Sequence, residues 1–70
     1  MHDKAHAIAL ECYAQNNPRN WPWILHLKKS MTMGERFAWA ITNCEAYAPL
    51  GTTQDTLIEA AKHFLTLLYK

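Results

Sequence analysis

Residues 32–68 read TMGERFAWAITNCEAYAPLGTTQDTLIEAAKHFLTLL, and this stretch predicts two helices separated by a sharp break. Thr32 and Glu35 have the spacing of a capping box, in which each side chain accepts a hydrogen bond from the backbone N–H group of the other residue. The first of the two helices should therefore begin at Thr32 and end near residue 47 or 48. Pro49-Leu50-Gly51 then interrupts the helical pattern, because proline and glycine are the strongest local breakers.

The second helix of this stretch should follow a cap at Thr52 or Thr53 and run nearly to the end of the chain. Both helices repeat apolar residues at intervals of three and four positions, which is typical of a helix that packs one face against a core. The apolar stripe of the last helix consists of Leu57, Ala61, Phe64, Leu65 and Leu68. The stripe of the preceding helix consists of Phe37, Ala40, Ile41, Cys44 and Ala48.

The N-terminal part of the chain predicts another helix, from about Asp3 to Gln15. The carboxylate of Asp3 can cap it, since it accepts hydrogen bonds from free N–H groups and faces the positive end of the helix dipole. Asn16-Asn17-Pro18 should end it, because a proline disfavours helix in the residue before it. Its inward stripe consists of Ala5, Ile8, Ala9 and Cys12.

A shorter helix is predicted between these parts, over residues 22–29, with Asn20 as its cap and Pro22 in its first turn, where a missing N–H group costs nothing. Its apolar face would contain Trp23, Ile24 and Leu27. No strand-like alternation persists for more than a few residues. The expected fold is therefore an all-α single domain over residues 1–70, a compact bundle of four helices of which one is short.

The size of the chain predicts self-association. With 70 residues, of which 50% are apolar, it has room for one core. A folded chain of this size buries only roughly 60% of the surface that its unfolded form exposes, so its stability is marginal. Small domains compensate with cross-links, metals, unusually good packing or oligomerisation. Among these possibilities we favour a homodimer.

The two cysteines, Cys12 and Cys44, indicate a cytoplasmic protein. No secretory signal precedes them, since Met1-His2-Asp3-Lys4 leads directly into the first helical pattern. Both cysteines lie on predicted buried stripes, where a free thiol behaves as a small apolar side chain. We therefore expect two reduced and buried thiols rather than a disulfide.

The charge of the chain argues against nucleic acid and membrane partners. The net charge is +1, with seven basic residues interleaved with six acidic ones. Proteins that bind nucleic acid usually carry a basic stripe or patch, because neutralising phosphate supplies most of the affinity. Here the one local basic cluster is Lys28-Lys29, at a predicted helix end where cations are favoured in any case. The longest apolar run is too short to span a bilayer.

The histidines offer two possible metal-binding pairs. His2 and His6 lie four residues apart, as do Glu59 and His63, so each pair would share a helix face. A protein zinc site needs at least three ligands in a compatible geometry, and nothing in the sequence brings the two pairs together. We interpret these residues as solvated side chains and expect no metal and no cofactor.

Catalytic motifs are missing from the sequence. There is no Cys-x-x-Cys spacing, no nucleophile elbow and no glycine-rich phosphate loop, and the chain contains only two glycines, Gly34 and Gly51. A cysteine and a histidine could form a nucleophilic pair. Cys12 and Cys44, however, lie on the predicted buried stripes. We therefore expect a protein that is not an enzyme.

The aromatic residues give the strongest functional signal. Trp21 and Trp23 lie in a connector between helices, where they could equally complete a small core or contact a partner. Trp39 lies roughly 200° around its helix from Phe37, at about 100° per residue, so it should point away from the main stripe. Tryptophan, tyrosine and arginine are enriched in interface hot spots. The predicted partner-binding residues are Arg19, Trp21, Trp23, Arg36, Trp39 and Asn43.

These features predict a small protein-binding module that regulates or inhibits a larger protein. In its short length and lack of catalytic motifs the chain resembles small accessory proteins of phages and mobile elements, which often block a larger host protein. The alternative is a helix-turn-helix DNA-binding regulator. In that case the third helix would be the recognition helix, with Arg36 and Asn43 as base-reading side chains. Glu35, Glu45 and the low net charge weaken this alternative.

Overall fold

A computed structural model describes residues 3–69, apart from the side chains of Leu27 and Lys28. All regular secondary structure in this range is helical, which confirms the predicted all-α class. The elements are α1 (Lys4–Gln15), a 3₁₀ helix (Pro22–His26) that leads into α2 (Leu27–Ser30), α3 (Met33–Ala46) and α4 (Gln54–Leu68). Within residues 3–69 no helix combines the length and the apolar character needed to cross a bilayer.

The helices begin where local side chains can satisfy their first N–H groups. The Asp3 carboxylate accepts a hydrogen bond from the backbone N–H of His6 at 2.6 Å. At the start of α3, the Thr32 hydroxyl accepts from the Glu35 N–H at 3.2 Å, and the Glu35 carboxylate accepts from the Thr32 N–H at 2.9 Å. Thr53 caps α4. The predicted starts of all three long helices are therefore confirmed.

The second predicted helix forms in a different geometry. Pro22–His26 is a 3₁₀ helix, and only the four residues of α2 are α-helical. Isolated helical segments of this length gain too few hydrogen bonds to offset the cost of nucleation, and short 3₁₀ turns are common in such connectors. The bundle thus consists of three long helices and a short helical connector, where the sequence predicted a short fourth α-helix over residues 22–29.

The core is built around α4, which packs against both α1 and α3, while α1 and α3 contact each other less. Four alanines of the long helices are fully buried: Ala9, Ala40, Ala60 and Ala61. Phe64 is the largest of the fully buried side chains. The core consists of Ala5, Ile8, Ala9, Cys12, Ile24, Ala40, Cys44, Leu57, Ala60, Ala61, Phe64 and Leu68.

The predicted stripe of α1 agrees fully with this core. Those of α3 and α4 agree in part, since four of their residues pack against the core but stay partly exposed: Phe37, Ile41, Ala48 and Leu65. All four stripe residues of α1 are buried, and α4 adds Ala60 to its predicted stripe. The structure describes two of the three residues on the predicted face of the short segment. Ile24 is buried, but Trp23 is exposed, and the side chain of Leu27 lies outside the described residues. With three residues per turn instead of 3.6, the 3₁₀ helix turns one residue toward the core and its neighbours toward solvent.

Candidate interaction surface

The connector between α1 and α2 is an ordered turn organised by Asn17. The Asn17 amide nitrogen donates to the carbonyl oxygen of Tyr13 at 2.9 Å, which fastens the turn to the end of α1. Its amide oxygen accepts from the backbone N–H of Arg19 at 2.9 Å. The backbone N–H of Trp21 donates to the Asn17 carbonyl oxygen, also at 2.9 Å. Asparagine favours such turns because its side chain can bond to the nearby backbone.

Ile24 fastens the connector to the core. Only 1% of its surface is exposed, and its backbone N–H donates to the carbonyl oxygen of Trp21 at 3.0 Å. One buried side chain and one turn of hydrogen bonds therefore fix the orientation of the residues on either side. As a consequence, the residues next to Ile24 are held at the surface.

Trp21 and Trp23 form an exposed aromatic pair on this connector. Their ring centroids are 6.1 Å apart and the planes lie at 83°, an edge-to-face contact. Such an arrangement is favourable because the positive edge of one ring meets the negative face of the other. Trp21 is 48% exposed and Trp23 45% exposed, and Leu25, two residues further along the chain, is 53% exposed. The sequence left open whether the two tryptophans are core or surface residues, and the structure places both at the surface.

The charged side chains of the connector and of the residues next to it are all basic. Residues 12–34 contain no Asp or Glu, whereas they include Arg19, Lys28 and Lys29. Arg19 and Lys29 are exposed, and the side chain of Lys28 lies outside the described part of the chain. The exposed apolar side chains are therefore flanked along the chain by cations, although the net charge of the whole chain is only +1.

Trp39, which the sequence placed away from the main stripe of α3 and on a surface for a partner, packs against the core. Its indole packs against Phe64 of α4, with ring centroids 5.7 Å apart, and it is only partly exposed. A helix that is apolar on two sides is either enclosed by its neighbours or contacts another chain. Here α4 covers the second face of α3, which the spacing along α3 alone could not indicate.

Arg36 and Asn43, the other predicted partner-binding residues of α3, also make contacts within the chain. The Arg36 guanidinium lies 5.1 Å from the ring centroid of Tyr69, and one of its nitrogens donates to the Met31 carbonyl oxygen at 3.4 Å. The Asn43 amide donates to the Trp39 carbonyl oxygen at 2.9 Å. The six predicted residues therefore separate into an exposed connector group and an α3 group with contacts inside the fold.

The candidate metal-binding pairs are rearranged. His6 lies against His63, with ring centroids 5.4 Å apart and planes at 85°. One residue from each of the two candidate pairs is therefore in contact with the other. Glu59 instead forms an ion pair with Lys62 at 3.3 Å. His2 lies outside the described residues. Among the residues that are described, no three His, Cys, Asp or Glu side chains are grouped to hold a metal ion.

Cys12 and Cys44 are two free thiols that face each other in the core. Both are fully buried. A hydrogen bond with the Cys44 thiol, together with burial, raises the pKa of Cys12. A protonated thiol is a poor nucleophile and metal ligand. The Asn16 amide covers this pair at one side, 3.9 Å from the Cys12 sulfur, and also donates to the Tyr47 hydroxyl at 3.3 Å.

Two features of the surface were missed by the sequence reasoning. Leu25 was not recognised as exposed, although a proline-led segment too short for a stable α-helix could have suggested a three-residue period. The contact between His6 and His63 has no signal in the sequence, because it depends on how α1 and α4 dock. No protein-family model matches the chain, and no significant similarity was found to curated proteins or to solved structures.

Proposed function

We propose that this protein is a non-catalytic binding module that regulates or inhibits a larger protein through its connector surface. The connector surface consists of Arg19, Trp21, Trp23, Leu25 and Lys29. The observation that carries the proposal is the exposed pair of tryptophans, each about half accessible, on a backbone held by Ile24 and Asn17. A domain that needs apolar burial for its own stability nevertheless leaves two of its largest apolar side chains in water.

The geometry of the pair suits it to recognition. Tryptophan brings a large contact area with few rotatable bonds, so it loses little conformational entropy when a partner covers it. The edge-to-face contact and the hydrogen-bonded turn restrict the rings further before binding. Preorganisation of this kind increases affinity because it lowers the ordering cost of association. Buried tryptophans and arginines are the residues most often found at the energetic centre of an interface.

A DNA-binding role receives less support from the same contacts. Arg36 and Asn43, which would read bases from α3, are engaged by Tyr69, Met31 and Trp39. The segment that would precede the recognition helix is the single turn of α2. Protein binding therefore remains the proposal. The salt dependence of the affinity for the partner distinguishes it from nucleic-acid binding.

Two further properties belong to the proposal. We propose that the protein forms a homodimer, because among the described residues six large apolar side chains are at least 44% exposed around a small core. We also place it in the cytoplasm, where its two free thiols would stay reduced. The exposed apolar side chains are Leu10, Trp21, Trp23, Leu25, Met33 and Leu50.

The experiment is a capture of partners from a lysate of the native host, followed by measured affinities for the purified partner. The double variant Trp21→Ala/Trp23→Ala should keep its helical circular dichroism, since both side chains lie outside the core. It should weaken binding by about 2 kcal/mol or more for each hot-spot tryptophan. Leu50→Ala is the matched control, because Leu50 is fully exposed on a different loop.

Two results would contradict the proposal. The first is a folded double variant that binds the partner as well as the native chain does. The second is a partner affinity that falls steeply and linearly with the logarithm of salt concentration, which would indicate phosphate contacts and the DNA-binding alternative.

A further inference from the structure

The cations of the connector surface have no acidic partner among the described side chains. Arg19 and Lys29 are both exposed. The one ion pair in the described part of the chain joins Lys62 to Glu59 on α4. Residues 12–34 contain no Asp or Glu that could neutralise the connector locally. A partner that covers this surface is therefore favoured if it places negative charge opposite these cations, whereas a basic partner is repelled.

The acidic side chains that gather in one place lie at the other end of α1. Asp3, Asp55 and Glu59 line one surface cavity near the starts of α1 and α4. The connector begins where α1 ends, and α1 has 12 residues, so the helix between them is about 18 Å long. This is about twice the Debye length at physiological ionic strength, so these carboxylates do not neutralise the connector.

The far end of the connector is also distant from this acidic cavity. The carbonyl oxygen of Met31, just after α2, accepts a hydrogen bond from a guanidinium that lies over the ring of Tyr69. Tyr69 is the cap residue at the end of α4, whereas the acidic cavity lies near the start of that helix. The fold therefore keeps its acidic cluster apart from its exposed aromatic and basic surface.

Arg19 borders another cavity, in the same turn as the first tryptophan. This cavity, of about 370 Å³, is lined by Tyr13, Asn17, Pro18 and Arg19. The backbone N–H of Trp21 donates to the Asn17 carbonyl oxygen at 2.9 Å, which closes the turn. A guanidinium binds a carboxylate through two parallel N–H groups. The turn therefore presents a carboxylate-binding group two residues before an exposed apolar one.

The tryptophan pair suits protein side chains better than bases. Proteins that bind a single strand stack successive bases on aromatic rings within a cationic groove. The rings of Trp21 and Trp23 stand at 83°, with the edge of one against the face of the other, so part of that face is closed to stacking. Residues 12–34 supply three Lys or Arg side chains, which are few for an affinity based on phosphate.

We propose, on the basis of the proposed function above, that the connector surface binds an acidic segment of the partner protein, in which Asp or Glu side chains flank a large apolar residue. The apolar residue covers Trp21 and Trp23, and the carboxylates face Arg19 and Lys29. The tryptophans supply the larger part of the affinity, because exposed ion pairs contribute little each. The cations select an acidic segment over a neutral or basic one.

The test follows the tryptophan fluorescence of the full chain during titration with two short synthetic peptides that contain no tryptophan. The acidic peptide alternates phenylalanine and leucine with aspartate and glutamate. The amide peptide is its matched control, with asparagine and glutamine in place of every aspartate and glutamate. The acidic peptide should bind about tenfold more tightly. This difference should shrink as salt is added, because salt screens exposed charges.

Charge reversal separates the role of the cations from that of the tryptophans. Arg19→Glu/Lys29→Glu should weaken binding of the acidic peptide by more than about tenfold and leave the amide peptide unaffected. Lys4→Glu/Lys62→Glu is the matched control, since it changes the net charge equally at exposed side chains outside the connector. This control should bind the acidic peptide nearly as the native chain does. Both variants should keep their helical circular dichroism, because every changed side chain is exposed.

Four outcomes would overturn the proposal. Equal affinity for the two peptides, lost in Trp21→Ala/Trp23→Ala, would reject an acidic partner but keep the connector as a protein-binding surface. Failure of both peptides to bind would reject it too, and the affinity for the captured partner would then test the proposed function separately. Binding of the acidic peptide that Trp21→Ala/Trp23→Ala leaves unchanged would remove the connector surface itself, and the proposed function with it. Tighter binding of oligothymidylate than of the acidic peptide would assign the surface to nucleic acid.

Discussion

The indole ring of Trp39 and the phenyl ring of Phe64 lie 5.7 Å apart between centroids, with their planes tilted by 31°. This contact connects α3 to α4 at the edge of the core, because Phe64 is fully buried whereas Trp39 keeps part of its surface in water. The two residues therefore contribute to the same packed layer. Trp39 therefore stabilises the fold, although part of its side chain lies at the surface.

We expect Phe64→Ala to destabilise the protein by about 3–5 kcal/mol, which is typical of a buried phenylalanine. Trp39→Ala should cost less, about 1–3 kcal/mol, since part of the indole stays exposed in the folded state. Chemical denaturation followed by circular dichroism measures both. If Trp39→Ala leaves the unfolding midpoint unchanged, the contact with Phe64 contributes nothing to stability.

The contact itself can be isolated with variants that keep the protein folded. A double-mutant cycle with Trp39→Leu and Phe64→Leu should give a coupling energy of about 0.5–1.5 kcal/mol, the range found for aromatic pairs. A matched cycle that pairs Trp39→Leu with Leu57→Ala should give additive effects if those two side chains share no contact. Equal coupling in both cycles would mean that α4 as a whole, and not the ring contact, carries the effect.

The capping box of α3 should make stability depend on pH. Hydrogen bonds from the backbone and the side chain of Thr32 hold the pKa of the Glu35 carboxyl below its ordinary value of 4.5. Because the pKa is lower in the folded state, this contribution is fully present above the unfolded value and is lost as the pH falls through the folded value. Thermal melts between pH 7 and pH 3 measure it.

Glu35→Gln is the matched variant for this pH dependence, since glutamine keeps the capping hydrogen bond but cannot ionise. We expect the native chain to be the more stable of the two at neutral pH, and the difference to shrink as the solution is acidified below pH 4.5. A constant difference from pH 7 to pH 3 would show that the charge of Glu35 is not linked to folding.

The buried thiols should react only when the protein opens. Cys12 and Cys44 are fully buried, so an aromatic disulfide reagent should modify them far more slowly in the native state than in guanidinium. Replacing both by alanine should cost on the order of 1 kcal/mol per site and leave partner binding intact. Immediate reaction of native protein, or a folded double variant that no longer binds, would contradict this structural role.

The mass of the protein in solution tests the proposed homodimer directly. Sedimentation equilibrium at micromolar concentration should give about twice the chain mass of 8.1 kDa. If the dimer uses the connector surface, Trp21→Ala/Trp23→Ala should sediment as a folded monomer, and Leu50→Ala should stay dimeric. A native chain that remains at the monomer mass at high concentration would remove the dimer from the proposal.

The sequence alone determined where the long helices begin and which of their faces turn inward. These are local properties: Asp3, Thr32 with Glu35, and Thr53 cap the helices through residues three positions away. The repeat of apolar residues within one helix likewise sets its buried face, as for Cys12 and Cys44. Each of these outcomes depends on neighbours in the chain, so it could be predicted before the helices were assembled.

The tertiary structure alone decided the features that involve two elements. Docking of α4 covers Trp39, which its position on α3 predicted to face outward. The same bundle brings His6 to His63, although 57 positions separate them in the chain. In the connector, burial of Ile24 leaves Trp23 exposed. Such contacts depend on how the helices cross and on which side chain fills a shared space, and the periodicity of any one segment contains no information about either.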